Sequence, residues 1–212
     1  MSNPVLKNGL ILAVFAMLCT AAVSVVNKVT EGKIAEQKQL QRLKVLEQII
    51  PMQIHDNNLV TSCRAIVEPK ALGTEDAVSA FVAFKKEQAT AIAIEAVAPD
   101  GYNGNIKLIV AADKSGNVLG VRTLEQNETP GLGDKIELSK SNWVKSFNGK
   151  SLDNTSTKQW KVKKDGGEFD QFTGATITPR AYVKAVHKAL DYIHNNFDMI
   201  VRQSQKCEDH HE

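Results

Sequence analysis

The sequence has little that would mark a nucleic-acid binder. Its 26 basic residues nearly balance 24 acidic ones over 212 positions, a formal net charge of +2. No face is therefore committed to a phosphate backbone, and there is no acidic tail. Aromatic residues make up 6%, too few for the stacking platforms that single strands require. Cysteine is scarce as well. Cys19, Cys63 and Cys207 lie far apart and form no C-x-x-C pair, which argues against an iron–sulfur cluster within the chain. Cys19 falls in an apolar run. An odd number of cysteines is not a disulfide framework, and a Cys63–Cys207 bridge requires an oxidising compartment. No G-x-G-x-x-G fingerprint occurs, so a pyridine-nucleotide site of that kind is not expected. Internal repeats and low-complexity linkers are missing too.

One feature is plainly present at the start. Gly9 to Val26 carries no charge, and this run is about as long as a bilayer core requires. Asn8 and Asn27 bracket it, with Lys7 and Lys28 just outside. A cleaved signal peptide usually has a shorter apolar core, although Thr20-Ala21-Ala22 leaves a cleavage site conceivable. The length favours an uncleaved single-pass anchor over residues 9–27, after a short N-terminus of residues 1–8. Charge does not decide the orientation. Lys28, Lys33, Lys38, Arg42 and Lys44 follow the run, but Glu31, Glu36 and Glu47 share that stretch, and long domains can cross despite their charge.

Past the anchor, Ile34, Leu40, Leu43, Leu46 and Ile50 recur at helical spacing and predict a stalk helix, with linker, over 28–60. Pro51 stops the helix. From Ser62 the pattern turns to strands: 80–84, 90–97, 106–111 and 118–124, with turn clusters at Asp100–Gly104 and Lys114–Asn117. Near the end, Thr178 suits an N-cap and Pro179 a first helical position. Tyr182, Val186, Leu190, Ile193 and Phe197 then form one apolar stripe. The expected fold class is α+β: an antiparallel sheet with packed helices over 61–200, preceded by one transmembrane helix. Residues 201–212 read as a frayed polar tail; Cys207, Glu208, Asp209, His210 and His211 have metal-ligand residue types, but no metal site is expected there.

Two segments stand apart from this core pattern. Glu128-Thr129-Pro130-Gly131-Leu132-Gly133 follows a strand, and its glycines permit positive φ or close backbone approach to a ligand. By itself it is also an ordinary Pro-Gly turn. Asp170-Gln171-Phe172-Thr173-Gly174-Ala175-Thr176-Ile177-Thr178 crowds three hydroxyls just before a helix, where unpaired N–H groups favour an anion. No Gly-Lys-Ser/Thr follows it, so it is not a nucleotide phosphate loop.

Asp170-x-x-Thr173-Gly174-Ala175-Thr176 resembles the recognition motif of the covalent FMN-binding domain family. In that family a flavin transferase uses FAD to join FMN, through its phosphate, to the hydroxyl of the last threonine. The resemblance makes Thr176 the attachment point and Asp170, Thr173, Gly174, Ala175 and Thr176 the transferase's recognition residues. Glu128–Gly133 resembles the family's second signature, which lies along the isoalloxazine ring. Thr173, Gly174, Ala175 and Thr178 are then expected to line the cofactor with Glu128, Thr129, Pro130, Gly131, Leu132 and Gly133. Lys150, in Phe147-Asn148-Gly149-Lys150, would add positive charge near a reduced flavin, or is a solvated loop lysine. Gly101-Tyr102-Asn103-Gly104 fits the pattern too.

Within that family, the size, the single anchor and the ending resemble the G subunit of Rnf electron transport complexes. The resemblance implies an FMN-carrying subunit of a redox-driven ion translocase acting between ferredoxin and NAD. Its partners would be other subunits of the membrane complex, a flavin transferase and the bilayer, and the isolated chain would be an electron carrier. Since flavin transfer takes place in the periplasm, the domain would lie there, anchored in a bacterial inner membrane. The C subunit of the sodium-translocating NADH:quinone reductase and a membrane-anchored flavin regulator are the alternatives.

Overall fold

The computed structural model describes residues 4–205 and Cys207. The chain divides into a helical segment through Arg42 and a domain from Leu43 onward. Helix α1 runs over Pro4–Ile49 and ends two residues before Pro51. Its portion Pro4–Lys33 contains an 18-residue stretch of mean hydropathy 2.5 and is long and apolar enough to cross a membrane. Of the helical stripe expected beyond the anchor, Leu46 and Ile50 are buried in the domain, joined by Ile49. Leu40 is exposed, and the side chain of Ile34 lies outside the described residues.

The domain is built on one five-stranded antiparallel meander in the order β1-β2-β3-β4-β5. The strands are β1 Cys63–Ile66, β2 Val78–Lys85, β3 Gln88–Gly101, β4 Gly104–Asp113 and β5 Val118–Glu125. Successive side chains point to opposite faces of a strand, and here both faces are covered. Ala80, Val82, Ile92, Ile94, Leu108 and Val110 face one core. Their alternates Phe81, Ala83, Ala91, Ala93, Ile109 and Ala111 face a second core, with Leu46, Ile49 and Ile50 from the end of α1. Gly120 in β5 makes that approach possible: a Cβ there would stand 2.9 Å from Ile49 Cβ.

A short helix α2, Pro69–Leu72, ends at Gly73 in the left-handed region. The first core is capped by α3, Ile177–Arg202. Tyr182, Val186, Leu190, Ile193 and Phe197 are all buried on it. Between β5 and α3 lies a long excursion, 126–176, made of turns and 3-10 segments. An aromatic cluster pins it down. Phe147 stacks on Phe169 at 4.5 Å, and Trp143 meets Phe172 and Tyr182 edge-on at 5.1 and 5.6 Å.

The chain end is not frayed as far as it is described. Ala65 N donates to Gln205 O at 3.0 Å, and Cys207 is disulfide-bonded to Cys63 across 144 residues. This end of the chain thus covers the outer edge of β1, where unpaired backbone groups would otherwise invite another strand. Glu208, Asp209, His210 and His211 lie outside the described residues; among those described, no group of three metal-ligand residues occurs.

Candidate functional site

The two segments singled out in the sequence form two turns. In the first, Leu132 N and Gly133 N donate to Thr129 O at 3.1 and 3.0 Å. Pro130 and Gly131 take the corner, and Gly131 has φ +77°. Proline presets the first corner position and glycine supplies positive φ at the second. In the other turn, Ala175 N donates to Phe172 O at 3.1 Å. Thr173 and Gly174 take its corner, with φ +81° at Gly174. The turns adjoin: a Cβ at Gly174 would stand 3.5 Å from Leu132 Cδ2. A Cβ at Gly131 would meet nothing within 4 Å, so the backbone there is open to a neighbour.

Burial sorts the expected residues into two groups. Thr129, Pro130, Gly131, Leu132, Thr173 and Gly174 are exposed, and Ala175 and Thr176 are half-buried. Glu128, Gly133 and Thr178 are buried, with Thr178 fully so. Glu128 Oε1 accepts from Asn103 N at 3.0 Å, and Oε2 accepts from the Thr178 hydroxyl in a short contact. Gly133 is seated on this pair: a Cβ there would come within 2.9 Å of both Glu128 Oε2 and Thr178 Oγ1. Glu128 and Thr178, which the resemblance expects beside the cofactor, thus direct their side-chain groups to each other and to Asn103 inside the domain.

Helix α3 starts earlier than the sequence suggests. Thr176 is the N-cap and Ile177 the first helical residue, which puts Pro179 at the third position. Proline is tolerated there because the first N–H groups of a helix have no intrahelical partner. The Thr178 hydroxyl does not cap, since Glu128 has taken it. The Thr176 hydroxyl does not cap the helix either, and it makes no hydrogen bond among the described residues. Ile177 and Thr178 lie in the first turn, where free N–H groups and the helix dipole favour an anion. Arg180 N is already bonded to Thr176 O at 3.3 Å.

The remaining charged candidates have other partners. Arg180 grips both oxygens of Asp165 at 2.6 Å, and that bond holds the Asp165 carboxyl below its ordinary range. Asp170 is exposed and pairs with Lys163 at 2.7 Å. Lys150 pairs with Glu168, and its carbonyl accepts from Val118 N at the far end of β5 from Glu128. The structure therefore brings together the two turns and the helix start, but not Lys150. Sequence reasoning missed Trp143, whose Nε1 donates to Asp170 O at 2.8 Å and so holds the second turn's lead-in. It also missed the role of Asn103. Tryptophan's rarity, two in the chain, is the single signal that pointed to Trp143.

Comparison with known proteins agrees with this geometry. Residues 101–191 match the model of the FMN-binding domain, a span that opens at the β3–β4 turn and closes within α3. Residues 1–49, which include all of α1, match the RnfG N-terminal region. The G subunit of the ion-translocating oxidoreductase complex of Shewanella oneidensis is 57% identical over the full length of both chains. Its namesake from Vibrio cholerae is 51% identical, covering 98% of this chain and 99% of its own. The chain belongs to the G-subunit family of ion-translocating oxidoreductase complexes. Its G-subunit architecture is an apolar helix followed by an FMN-binding domain. In fold it is similar to the C subunit of Na(+)-translocating NADH-quinone reductase from Parabacteroides distasonis, with a TM-score of 0.52 over 76% of this chain and 94% of that one. At 18% identity that likeness speaks for the fold alone.

The residues present fit an FMN. A hydroxyl with no hydrogen bond among the described residues stands at a helix start suited to a phosphate. Beside it, an open, glycine-cornered turn offers backbone and the Leu132 side chain as a surface for a flat ring.

Proposed function

We infer that the chain carries FMN as a phosphoester on Thr176 and passes electrons as one member of a membrane complex. That complex couples redox chemistry between ferredoxin and NAD to ion translocation. The observation that carries this reading is the half-buried hydroxyl of Thr176 at the start of α3, without a hydrogen bond among the described residues, within a matched FMN-binding domain. When bound, FMN supplies a carrier of one or two electrons, while the protein supplies placement and electrostatics. Thr176 holds the phosphate covalently. The N–H groups of Ile177 and Thr178 steady its charge. Thr129, Pro130, Gly131 and Leu132 receive the ring, with Thr173, Gly174 and Ala175 as the adjoining wall. Lys150, engaged by Glu168, is not assigned to the flavin. A covalent tether suits a carrier outside the cytoplasm, where a released cofactor would diffuse away.

A flavin transferase would install the group from FAD. Asp170, Thr173, Gly174, Ala175 and Thr176 are exposed or half-buried, so another enzyme can reach them. The Cys63–Cys207 bridge supports a periplasmic domain, because disulfides persist in oxidising compartments. Residues 9–27 would then cross the inner membrane once, leaving 1–8 in the cytoplasm. Fold likeness alone favours the C subunit of the sodium-translocating NADH:quinone reductase, and the full-length identity to G subunits outweighs it.

The test is in-gel flavin fluorescence after denaturation, on full-length chain produced in membranes with a flavin transferase. Thr176→Ala is expected to lose all fluorescence while the chain still accumulates. Fluorescence that survives Thr176→Ala but disappears with Thr173→Ala overturns the assignment.

A further inference from the structure

We propose that Glu128 and Thr178 are a positioning pair that sets the flavin-bearing helix start against the ring-receiving turn. This rests on the reading that FMN is carried on Thr176. Glu128 is 4% exposed and Thr178 0%, so neither acts by touching a solvent-side ring. Their contact joins parts of the chain fifty residues apart. Glu128 opens the Thr129–Gly133 turn. Thr178 lies two residues after Thr176, on the first turn of α3. Because the start of an α-helix is held by its backbone over that distance, fixing the Thr178 hydroxyl fixes the place of the Thr176 backbone from which the bearing hydroxyl projects.

The same carboxylate reaches a third element. Its other oxygen takes Asn103 N from the β3–β4 turn, and Asn103 Nδ2 donates to Asn127 O at 2.7 Å. Glycines at 101 and 133 leave room for it: a Cβ at Gly101 would stand 3.0 Å from Oε1 and one at Gly133 2.9 Å from Oε2. Both carboxylate oxygens are thus engaged by the protein. A buried polar pair of this kind costs stability if one member is removed, and holds a unique geometry when both are present.

The test uses full-length chain produced with a flavin transferase, as wild type, Thr178→Val, Thr178→Ser and Glu128→Gln. Intact mass reads attachment, thermal melting reads folding, and visible circular dichroism reads whether the flavin sits in a fixed asymmetric site. Thr178→Val is expected to stay folded and lose the flavin's visible dichroism, with or without reduced attachment. Thr178→Ser, which restores the hydroxyl, is expected to restore it. Glu128→Gln is expected to reproduce the loss. Folded Thr178→Val and Glu128→Gln with wild-type attachment and dichroism overturn the proposal. So does failure of both to fold, since the pair would then hold up the domain rather than place the cofactor. A wild-type chain with no flavin mass on Thr176 overturns the proposed function as well, which distinguishes the two failures.

Discussion

Residues 78–125 and residues 126–176 are of similar length and obey different rules. The first stretch is four strands whose side chains alternate between two cores. Its backbone hydrogen bonds are met by neighbouring strands. The second stretch has no long element, and its backbone is closed by single turns and by contacts such as Lys163 N to Phe169 O at 2.7 Å. What holds it is a few large rings: Trp143, Phe147, Trp160, Phe169 and Phe172. The difference teaches where function can reside. A meander with both faces largely buried has few side chains to spare. The excursion is anchored at a few points, so the turns between anchors are free to face a ligand.

The largest expected effect sets the two stretches directly against each other. Phe81→Ala in β2 and Phe147→Ala in the excursion each remove a fully buried ring, and each is expected to cost about 3–5 kcal/mol in urea unfolding. They should differ in what else they disturb. Phe147→Ala is expected to raise hydrogen exchange at Phe172–Thr176 well before global unfolding, and Phe81→Ala only in step with it. Equal exchange behaviour in both variants would break the comparison and make the domain a single cooperative unit.

A smaller effect concerns the chain end. Cys207→Ser removes the bridge that holds this end over β1. Such losses typically cost about 2–4 kcal/mol, and here the added loss of edge cover predicts faster self-association on mild heating. Light scattering and thermal melting of the variant against wild type, both without reductant, check it. An unchanged melting temperature would mean that the hydrogen bonds joining Gln203 and Gln205 to β1 suffice.

The smallest effect is a dependence on pH. His187 on α3 lies against Trp160 at 5.3 Å, linking the helix to the excursion. Burial depresses its pKa below the ordinary value, with Asp191 acting weakly the other way. A depressed histidine favours the folded state while neutral. Its contribution is complete above the ordinary histidine pKa of about 6.5 and is lost as pH falls through the lower folded value. His187→Gln is therefore expected to flatten the acid side of the stability curve below about pH 6.5, the side set by the ordinary value and the direction of the shift. An acid limb unchanged by the substitution would assign that limb to other groups.

Much of the first stretch was legible because alternation is a local property. Thr90–Val97, Ile106–Ala111 and Val118–Leu124 read as strands from their own residues. The turn at Lys86-Glu87 did not, since both residues have positive φ and neither is of the type that favours it; the pairing of β2 with β3 imposes that turn. The stripe on α3 was legible for the same local reason, but its start was not. Thr178-Pro179 has the residue types of a helix opening, and the helix begins at Ile177 because Thr178 is drawn to Glu128 instead.

The order of the chain determined which residues bear chemistry. Thr173-Gly174-Ala175-Thr176 and Thr129-Pro130-Gly131-Leu132 are recognisable because turns need proline and glycine at set positions, whatever surrounds them. The apolar run over 9–26 was equally plain, since hydropathy and length are properties of composition. Only the tertiary structure decided what each residue does. It buried Glu128 and Thr178 against each other, left the Thr176 hydroxyl without a hydrogen bond among the described residues, gave Arg180 to Asp165 and Lys150 to Glu168, and paired Cys63 with Cys207. Those outcomes depend on which surfaces meet across distant parts of the chain, and no local pattern carries that information.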